Sequence, residues 1–182
     1  MDVFEFILIP TSIIIGLGMA ELLGGVARVV RGELKAGPLH SVWVALVFLA
    51  QLQFLWASWD LHGRGGWTFV EFIIFMIGPI VLYVGPAILF PRHDSSESLD
   101  VHLLTHRVAF FSLAIMALAS FSVLDWVVSA SRFGGQDMAR LGCIGLFLVL
   151  AGTKNRRTQW IMTLIAIVVL LWFVFFFTPE VG

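Results

Sequence analysis

Charged side chains are scarce in this chain. Asp, Glu, Lys and Arg together make up 13% of its 182 residues, whereas soluble domains carry about 25%. So few polar side chains cannot cover a water-soluble globule, and the composition excludes a soluble enzyme, a disordered chain and a nucleic-acid binder. The net charge of -1 at pH 7 gives no overall attraction to nucleic acid or to anionic lipid.

Cysteine and catalytic motifs are almost absent as well. Cys143 is the one cysteine, which excludes an intrachain disulfide and a cysteine-based zinc site. The sequence contains no GxSxG, HExxH or P-loop motif, and its loops are too short for a catalytic domain. His102 and His106, with His40 at a similar depth, come nearest to a metal or haem site. We expect no enzyme activity, no metal site and no cofactor.

Long apolar runs are the dominant feature. Hydrophobic residues make up 59% of the chain, and a helix needs about 20 of them to cross a bilayer. Six runs reach or approach this length, at about 3–30, 40–59, 67–90, 107–128, 138–152 and 159–177. They are unbroken rather than alternating, which excludes a β-barrel. The sequence therefore predicts an all-α, polytopic membrane protein, with residues 1–182 as one bundle of six transmembrane helices.

The distribution of basic residues predicts the orientation. Eight of them lie beside the loops after the first, third and fifth spans: Arg28, Arg31, Lys35, Arg92, Arg107, Lys154, Arg156 and Arg157. Three lie on the other side: Arg64, Arg132 and Arg140. By the positive-inside rule the first side is cytoplasmic. Both termini are therefore predicted on the non-cytoplasmic side of a bacterial inner membrane. The polar linker 93–100 divides the spans three and three, as in an inverted repeat or by chance.

Glu21 is the most unusual polar residue of the first span. A carboxylate inside a bilayer costs at least about 2.5 kcal/mol. Glu21 is therefore either a cation- or proton-binding group on an inner pathway or a structural partner of Arg28, seven residues further on. Beside it, small residues recur at helical spacing and favour close helix packing; these are Gly16, Ala20 and Gly24.

Two further features place polar groups at membrane depth. Gln51 is predicted near the midplane, within a layer that also contains Thr11, Ser12, Gln53, Ser120 and Ser122. This layer is either a polar constriction or a set of hydrogen bonds between helices. In the third span, Pro79 and Pro86 remove the helical partners of the Phe75 and Leu82 carbonyls. Such carbonyls line a cavity or are buried in protein.

The predicted outer face is rich in tryptophan and in acid. Asp60, Glu71 and Asp125 lie within a turn or two of Trp56, Trp59, Trp67 and Trp126. With Asp2, Glu5, Asp137 and Glu180, the acids outnumber the three bases on that side. An electronegative mouth of this kind attracts cations. Alternatively, Glu71 and Asp125 pair with Arg64, Arg132 or Arg140 and hold loops in place.

The opening run FEFILIPTSIIIGLGMAELLGGVARVVRG resembles the start of a bacterial family of small six-span membrane proteins. The matching parts are Glu5-Phe6, Ser12-Ile13, Gly16-Leu17-Gly18, Ala20-Glu21-Leu22-Leu23 and Ala27-Arg28. The tryptophan-rich end of the second span and the Asn-Arg-Arg turn before the sixth are similar too. The resemblance implies the fold and a bacterial origin. It implies no activity, so Glu21 and Arg28 are signature positions without a role.

Two functions fit these observations. The first is a small cation- or proton-conducting channel or transporter, whose path passes Asp60, Glu71 and Asp125, then Gln51, and leaves by Glu21 near Arg28. The second is a non-transporting scaffold or sensor subunit that binds membrane lipids or a partner membrane protein. In either case we expect a homo-oligomer, in which the Gly16–Gly24 stripe packs within or between subunits. The direction in which Glu21 points discriminates between the two.

Overall fold

The computed structural model describes residues 3–62, 66–92, 97–129 and 135–177, and within them the chain is all-α. Six α-helices and one short 3₁₀ helix form there, and Lys35 and Ser98 make an isolated β-bridge. The helices are α1 (Val3–Val30), α2 (Pro38–Ala57), α3 (Phe69–Leu89), α4 (Leu99–Ser129), α5 (Gly135–Gly152) and α6 (Arg156–Phe177). The 3₁₀ helix, Ser58–Leu61, follows α2 directly.

The apolar runs predict these helices closely, with α4 as the exception. It begins at Leu99 rather than near residue 107. The first two turns of α4 are helical, but polar residues around His106 keep them out of the apolar run. Ser98 starts the helix, because its Oγ accepts a hydrogen bond from the Asp100 N–H at 3.4 Å, as an N-cap residue does.

Among the described helices, α1, α2, α3 and α4 as far as Trp126 are long and apolar enough to cross a membrane. The 22 residues of α6 extend about 33 Å at a rise of about 1.5 Å each. The 18 residues of α5 extend about 27 Å, slightly less than a hydrocarbon core of about 30 Å. The six-span arrangement and the orientation of the termini stay predictions.

Helix α3 lies at the centre of the bundle. It contacts α1, α2 and α4, while α5 packs on α4, and α6 packs on α5 and α2. Two apolar clusters fill the interior. One includes Leu22, Leu39, Leu89, Phe111 and Leu150. The other includes Ile15, Phe54, Phe75, Met76 and Leu124.

The ends of α1, α3 and α5 meet the starts of α2, α4 and α6 at one end of the bundle. The Leu99 N–H donates to the Lys35 carbonyl at 3.0 Å, which joins the connection before α2 to the start of α4. Arg156, at the start of α6, lies 3.2 Å from Asp100 in α4. We call this the basic end, because it carries Arg28, Arg31, Lys35, Arg92, Lys154, Arg156 and Arg157.

Candidate functional site

Three helices send side chains to the C-terminal end of α3, where helix carbonyls lack partners within the helix. His40 Nε2 lies 2.9 Å from the Leu89 carbonyl oxygen, and His102 Nε2 lies 3.0 Å from that of Ile88. A carbonyl only accepts, so Nε2 carries the hydrogen in both rings. Arg28 Nη1 donates to the Pro91 carbonyl at 2.6 Å. The end of α3 is thus held from α2, α4 and α1 together.

This geometry determines what the histidines do. His102 and His106 have ring centroids 4.3 Å apart, but the Nε2 atoms of His40 and His102 are occupied with carbonyls. In the part of the chain that the structure describes, no three His, Cys, Asp or Glu side chains form a group that could hold a metal ion. His40 and His102 therefore act as helix-end caps.

Asp100 joins three connections at the basic end. Its side chain is nearly enclosed, with the residue 6% exposed. Oδ1 accepts from the His40 N–H at 2.9 Å, and Oδ2 accepts from Arg156 Nη2 at 3.2 Å. The N-cap residue of α2, Gly37, supplies no side-chain cap, so a carboxylate from another helix caps α2. A Cβ at Gly37 would lie 2.1 Å from Asp100 Oδ1, which explains the glycine.

A groove of about 430 Å³ opens at the basic end between α1 and the residues that follow α3. Its walls include Glu21, Gly24, Arg28, Arg31, Pro91 and Arg92. We call it the α1–α3 groove. Arg31 and Arg28 both contact Glu33 beside its mouth. The Arg31 hydrogen bond is the main cause that holds the pKa of Glu33 below its ordinary value.

Glu21 lies inside this groove, on the outer surface of the bundle. Its side chain is exposed, and no hydrogen bond or ion pair reaches it within the described residues. The described contacts of Arg28 go instead to Pro91 and Glu33. Glu21 therefore neither faces the bundle interior nor forms the structural pair with Arg28 that its spacing allows.

Gln51 meets the helix break at Pro86, in the centre of the bundle. The residue is 0% exposed, and its Nε2 donates to the Leu82 carbonyl at 2.9 Å. Pro86 has no N–H for that carbonyl, so the side chain of α2 supplies the missing donor. A Cβ at Gly18 of α1 would lie 2.8 Å from the same carbonyl oxygen. Gln51 Oε1 is buried, and no residue in the described part of the chain bonds to it.

The hydroxyl groups of the predicted midplane layer bond within their own helices. Thr11 donates to the Ile7 carbonyl and Ser12 to that of Ile9. Ser120 and Ser122 donate to Ala117 and Leu118 in the same way. These side chains are satisfied locally and do not join Gln51 in a polar ring.

The other helix break lies beside large rings. A Cβ at Gly78, next to Pro79, would lie 2.6 Å from the ring of Phe54 and 2.8 Å from that of Phe121. Pro79 removes the helical partner of the Phe75 carbonyl, and Phe75 is 4% exposed. This part of α3 is therefore buried in protein rather than open to a wide cavity.

The acids predicted at the outer mouth have local partners. Glu71 forms a capping box with Thr68: its carboxylate accepts from the Thr68 N–H, and its own N–H donates to Thr68 Oγ1. Asp125 pairs with Arg140 of α5, which also lies 3.9 Å from Asp137. The Asp60 side chain, Arg64 and Arg132 lie outside the described residues. Asp125 therefore has one of the arginine partners that the sequence offered, whereas the described partner of Glu71 is Thr68 of its own helix start.

The predicted packing stripe of α1 faces away from the bundle. Gly16, Ala20 and Gly24 are exposed, and a Cβ at Gly16 or Gly24 would meet no atom within 4 Å. The close contacts use other glycines: a Cβ at Gly25 would lie 2.3 Å from the Phe90 ring. The stripe does not pack within the subunit, and its use between subunits stays a prediction.

Sequence reasoning missed two polar residues that the fold depends on, Asp100 and Gln159. Gln159 is 0% exposed, and its Nε2 donates to the Leu150 and Thr153 carbonyls, both at 2.8 Å, at the end of α5. No local pattern marks either residue, because each caps a helix other than its own. By contrast, the capping box of Glu71 is readable as Thr68-Phe-Val-Glu71.

Comparison of the chain with protein-family models, with curated proteins and with solved structures returns no match.

Proposed function

We propose that the chain is a non-transporting membrane protein, a scaffold or sensor subunit that binds lipid or a partner through its surface. In this proposal it crosses the inner membrane of a bacterium six times, with the basic end in the cytoplasm and both termini outside. It would belong to the family of small six-span proteins that its first span resembles. Contacts at the basic end support the orientation, because they bring the three basic connections together.

The separation of the candidate pathway residues carries this proposal. Glu21 lies on the outer surface of α1, Gln51 is enclosed between α1, α2 and α3, and Asp125 is paired with Arg140. An ion path requires polar groups that follow one another along a wet cavity. These three groups instead lie in three different environments. Their contacts stabilise helix packing and leave Glu21 available to something outside the subunit.

Ion flux through purified protein in liposomes tests the proposal. A pH dye and a membrane-potential dye report proton and cation movement, for the wild type and for Glu21→Gln. We expect neither protein to conduct more than protein-free liposomes under an imposed pH gradient or potential. Flux in the wild type that falls in Glu21→Gln would contradict the proposal and establish a pathway that includes Glu21.

The alternative, a cation- or proton-conducting channel or transporter, is favoured by one specific observation. Gln51 Oε1 is a buried acceptor with no partner among the described residues, and such an atom is free to accept a hydrogen bond from a water molecule. Wild-type flux that persists in Glu21→Gln but falls in Gln51→Leu would support that alternative. It would also place the path through the centre of the bundle.

A further inference from the structure

The α1–α3 groove concentrates positive charge where α1 leaves the bundle. Arg28, Arg31 and Arg92 lie around its mouth, while Glu21 lines its inner part and Glu33 contacts two of the arginines. Three guanidinium groups against two carboxylates leave a net charge of +1. The groove therefore carries a net positive charge and attracts an anionic ligand group.

Two of these arginines differ in whether an acceptor holds their guanidinium group. The Pro91 carbonyl holds Arg28 Nη1 at 2.6 Å, which fixes the direction of its guanidinium group. Arg92, the next residue after Pro91, has an exposed side chain, and no acceptor reaches it within the described ranges. Both side chains line the groove, and a guanidinium group presents two parallel N–H donors that match two oxygens of a phosphate.

We propose that the α1–α3 groove binds the phosphodiester group of an anionic phospholipid, with the acyl chains along the exposed face of α1. The shared chemistry is a singly charged phosphodiester, which a chain-free glycerophosphodiester also offers. The shape of the groove favours the lipid. This inference rests on the proposed surface function, and it names the ligand of that surface.

The α1 surface below the groove fits an acyl chain. Gly24, Ala20 and Gly16 leave a shallow channel, with open space where a Cβ of Gly16 or Gly24 would lie. Leu17 and Ile13 are exposed beside it, at 55% and 59%. Basic pockets between transmembrane helices on the cytoplasmic side are typical sites for anionic headgroups. A soluble phosphate ester would use the mouth of the groove and leave this channel empty.

Glu21 lies at a different depth from the phosphate site. It is seven residues before Arg28, about 10 Å along the helix axis. This distance is too long for one phosphodiester to touch both groups, so Glu21 opposes the phosphate only weakly. Glu33 is closer, because it contacts both Arg28 and Arg31, and it therefore competes with the ligand for the same donors.

Lipid titration of the purified protein in detergent, read by native mass spectrometry, tests this inference. The probes are dioctanoyl phosphatidylglycerol, the zwitterionic dioctanoyl phosphatidylcholine, and glycerophosphoglycerol as the chain-free phosphodiester. We expect one tight site for phosphatidylglycerol. Phosphatidylcholine should bind roughly tenfold more weakly, because the arginines repel its choline cation, and glycerophosphoglycerol should bind more weakly because it lacks the acyl chains. Equal binding of both lipids, or of glycerophosphoglycerol and phosphatidylglycerol, would overturn it.

Three variants separate the groove from general attraction to the basic end. Arg92→Gln should weaken phosphatidylglycerol binding by roughly tenfold, and Glu33→Gln should strengthen it, because Arg28 and Arg31 lose their competitor. Lys154→Gln removes one exposed charge of the same end outside the groove and should have at most a small effect. Equal losses in Arg92→Gln and Lys154→Gln would overturn the site. The flux experiment is independent: no flux without a lipid site would leave the non-transporting function standing.

Discussion

At the scale of single residues, the fold depends on side chains that complete the backbone of another helix. Asp100 caps α2, His40 and His102 cap α3, and Gln159 caps α5. His40, Asp100 and Gln159 are buried in protein, and a buried backbone group needs a partner that water cannot supply there. Polar residues in this chain are rare, and the buried ones concentrate at helix ends and helix breaks.

Replacing Asp100 tests this role directly. Asp100→Ala leaves the buried His40 N–H without an acceptor, so we expect a loss of about 1–3 kcal/mol in the free energy of unfolding. Asp100→Asn keeps an acceptor oxygen and should lose less. Thermal unfolding of the purified protein in detergent measures both.

Arg156→Gln is the matched control for Asp100. It removes the ion pair but keeps the cap, and Arg156 is 66% exposed on its side chain. Exposed ion pairs contribute about 0–1 kcal/mol, so the midpoint should change little. An Arg156→Gln midpoint as low as that of Asp100→Ala would show that the ion pair, rather than the cap, stabilises this end.

At the scale of helices, two glycines allow α1 to approach its neighbours. Gly18 lies against the Leu82 carbonyl and Gln51, and Gly25 lies against the Phe90 ring. Each is beside a glycine that faces open space, Gly16 and Gly24. Gly16-Leu17-Gly18 and Gly24-Gly25 each contain one exposed and one packed glycine, and only the packing distinguishes them.

This difference predicts unequal effects of the same substitution. Gly18→Ala places a Cβ 2.8 Å from a backbone oxygen, which cannot rotate away, so α1 must shift. We expect a loss of about 1–3 kcal/mol, as for other overpacked sites. Gly16→Ala meets no atom within 4 Å and should be neutral. Unfolding midpoints of the two variants in one detergent provide the measurement, and equal midpoints would contradict the α1–α3 contact.

The apolar runs predict the helices, but they do not predict the contacts between them. The sequence indicates that burying Gln51 is costly and that the Leu82 carbonyl lacks a helical partner. It does not show that the Gln51 side chain donates to that carbonyl. That pairing depends on which helices are neighbours, and a single sequence of similar apolar helices does not specify this. Hydropathy reports the solvent of a segment, so it gave neither the start of α4 at Leu99 nor the direction of the Glu21 side chain.

At the scale of the whole molecule, the contacts bring the three basic connections to one end. Lys35, Asp100 and Arg156 belong to three different connections and meet there through hydrogen bonds or ion pairs. If α5 crosses the bilayer despite its short length, the alternating helices put this end and the Gly66 region on opposite sides, and the positive-inside rule predicts that the basic end is cytoplasmic.

Cysteine labelling tests this topology. In a Cys143→Ala background, Gly66→Cys should react with a membrane-impermeant thiol reagent in intact spheroplasts. Lys154→Cys should react only after the membrane is opened, because the positive-inside rule holds its connection in the cytoplasm. Labelling of Lys154→Cys in intact spheroplasts would contradict six spans and place α5 outside the set of crossing helices.

The cap that Asp100 provides for α2 also sets an order of events during synthesis. Asp100 follows His40 by 60 residues, which a ribosome adds in roughly 3–12 s at about 5–20 residues per second. For that interval the His40 N–H has no carboxylate to accept its hydrogen. The start of α2 therefore reaches its final hydrogen bonding only after the first turn of α4 has been made, and water is its partner until then.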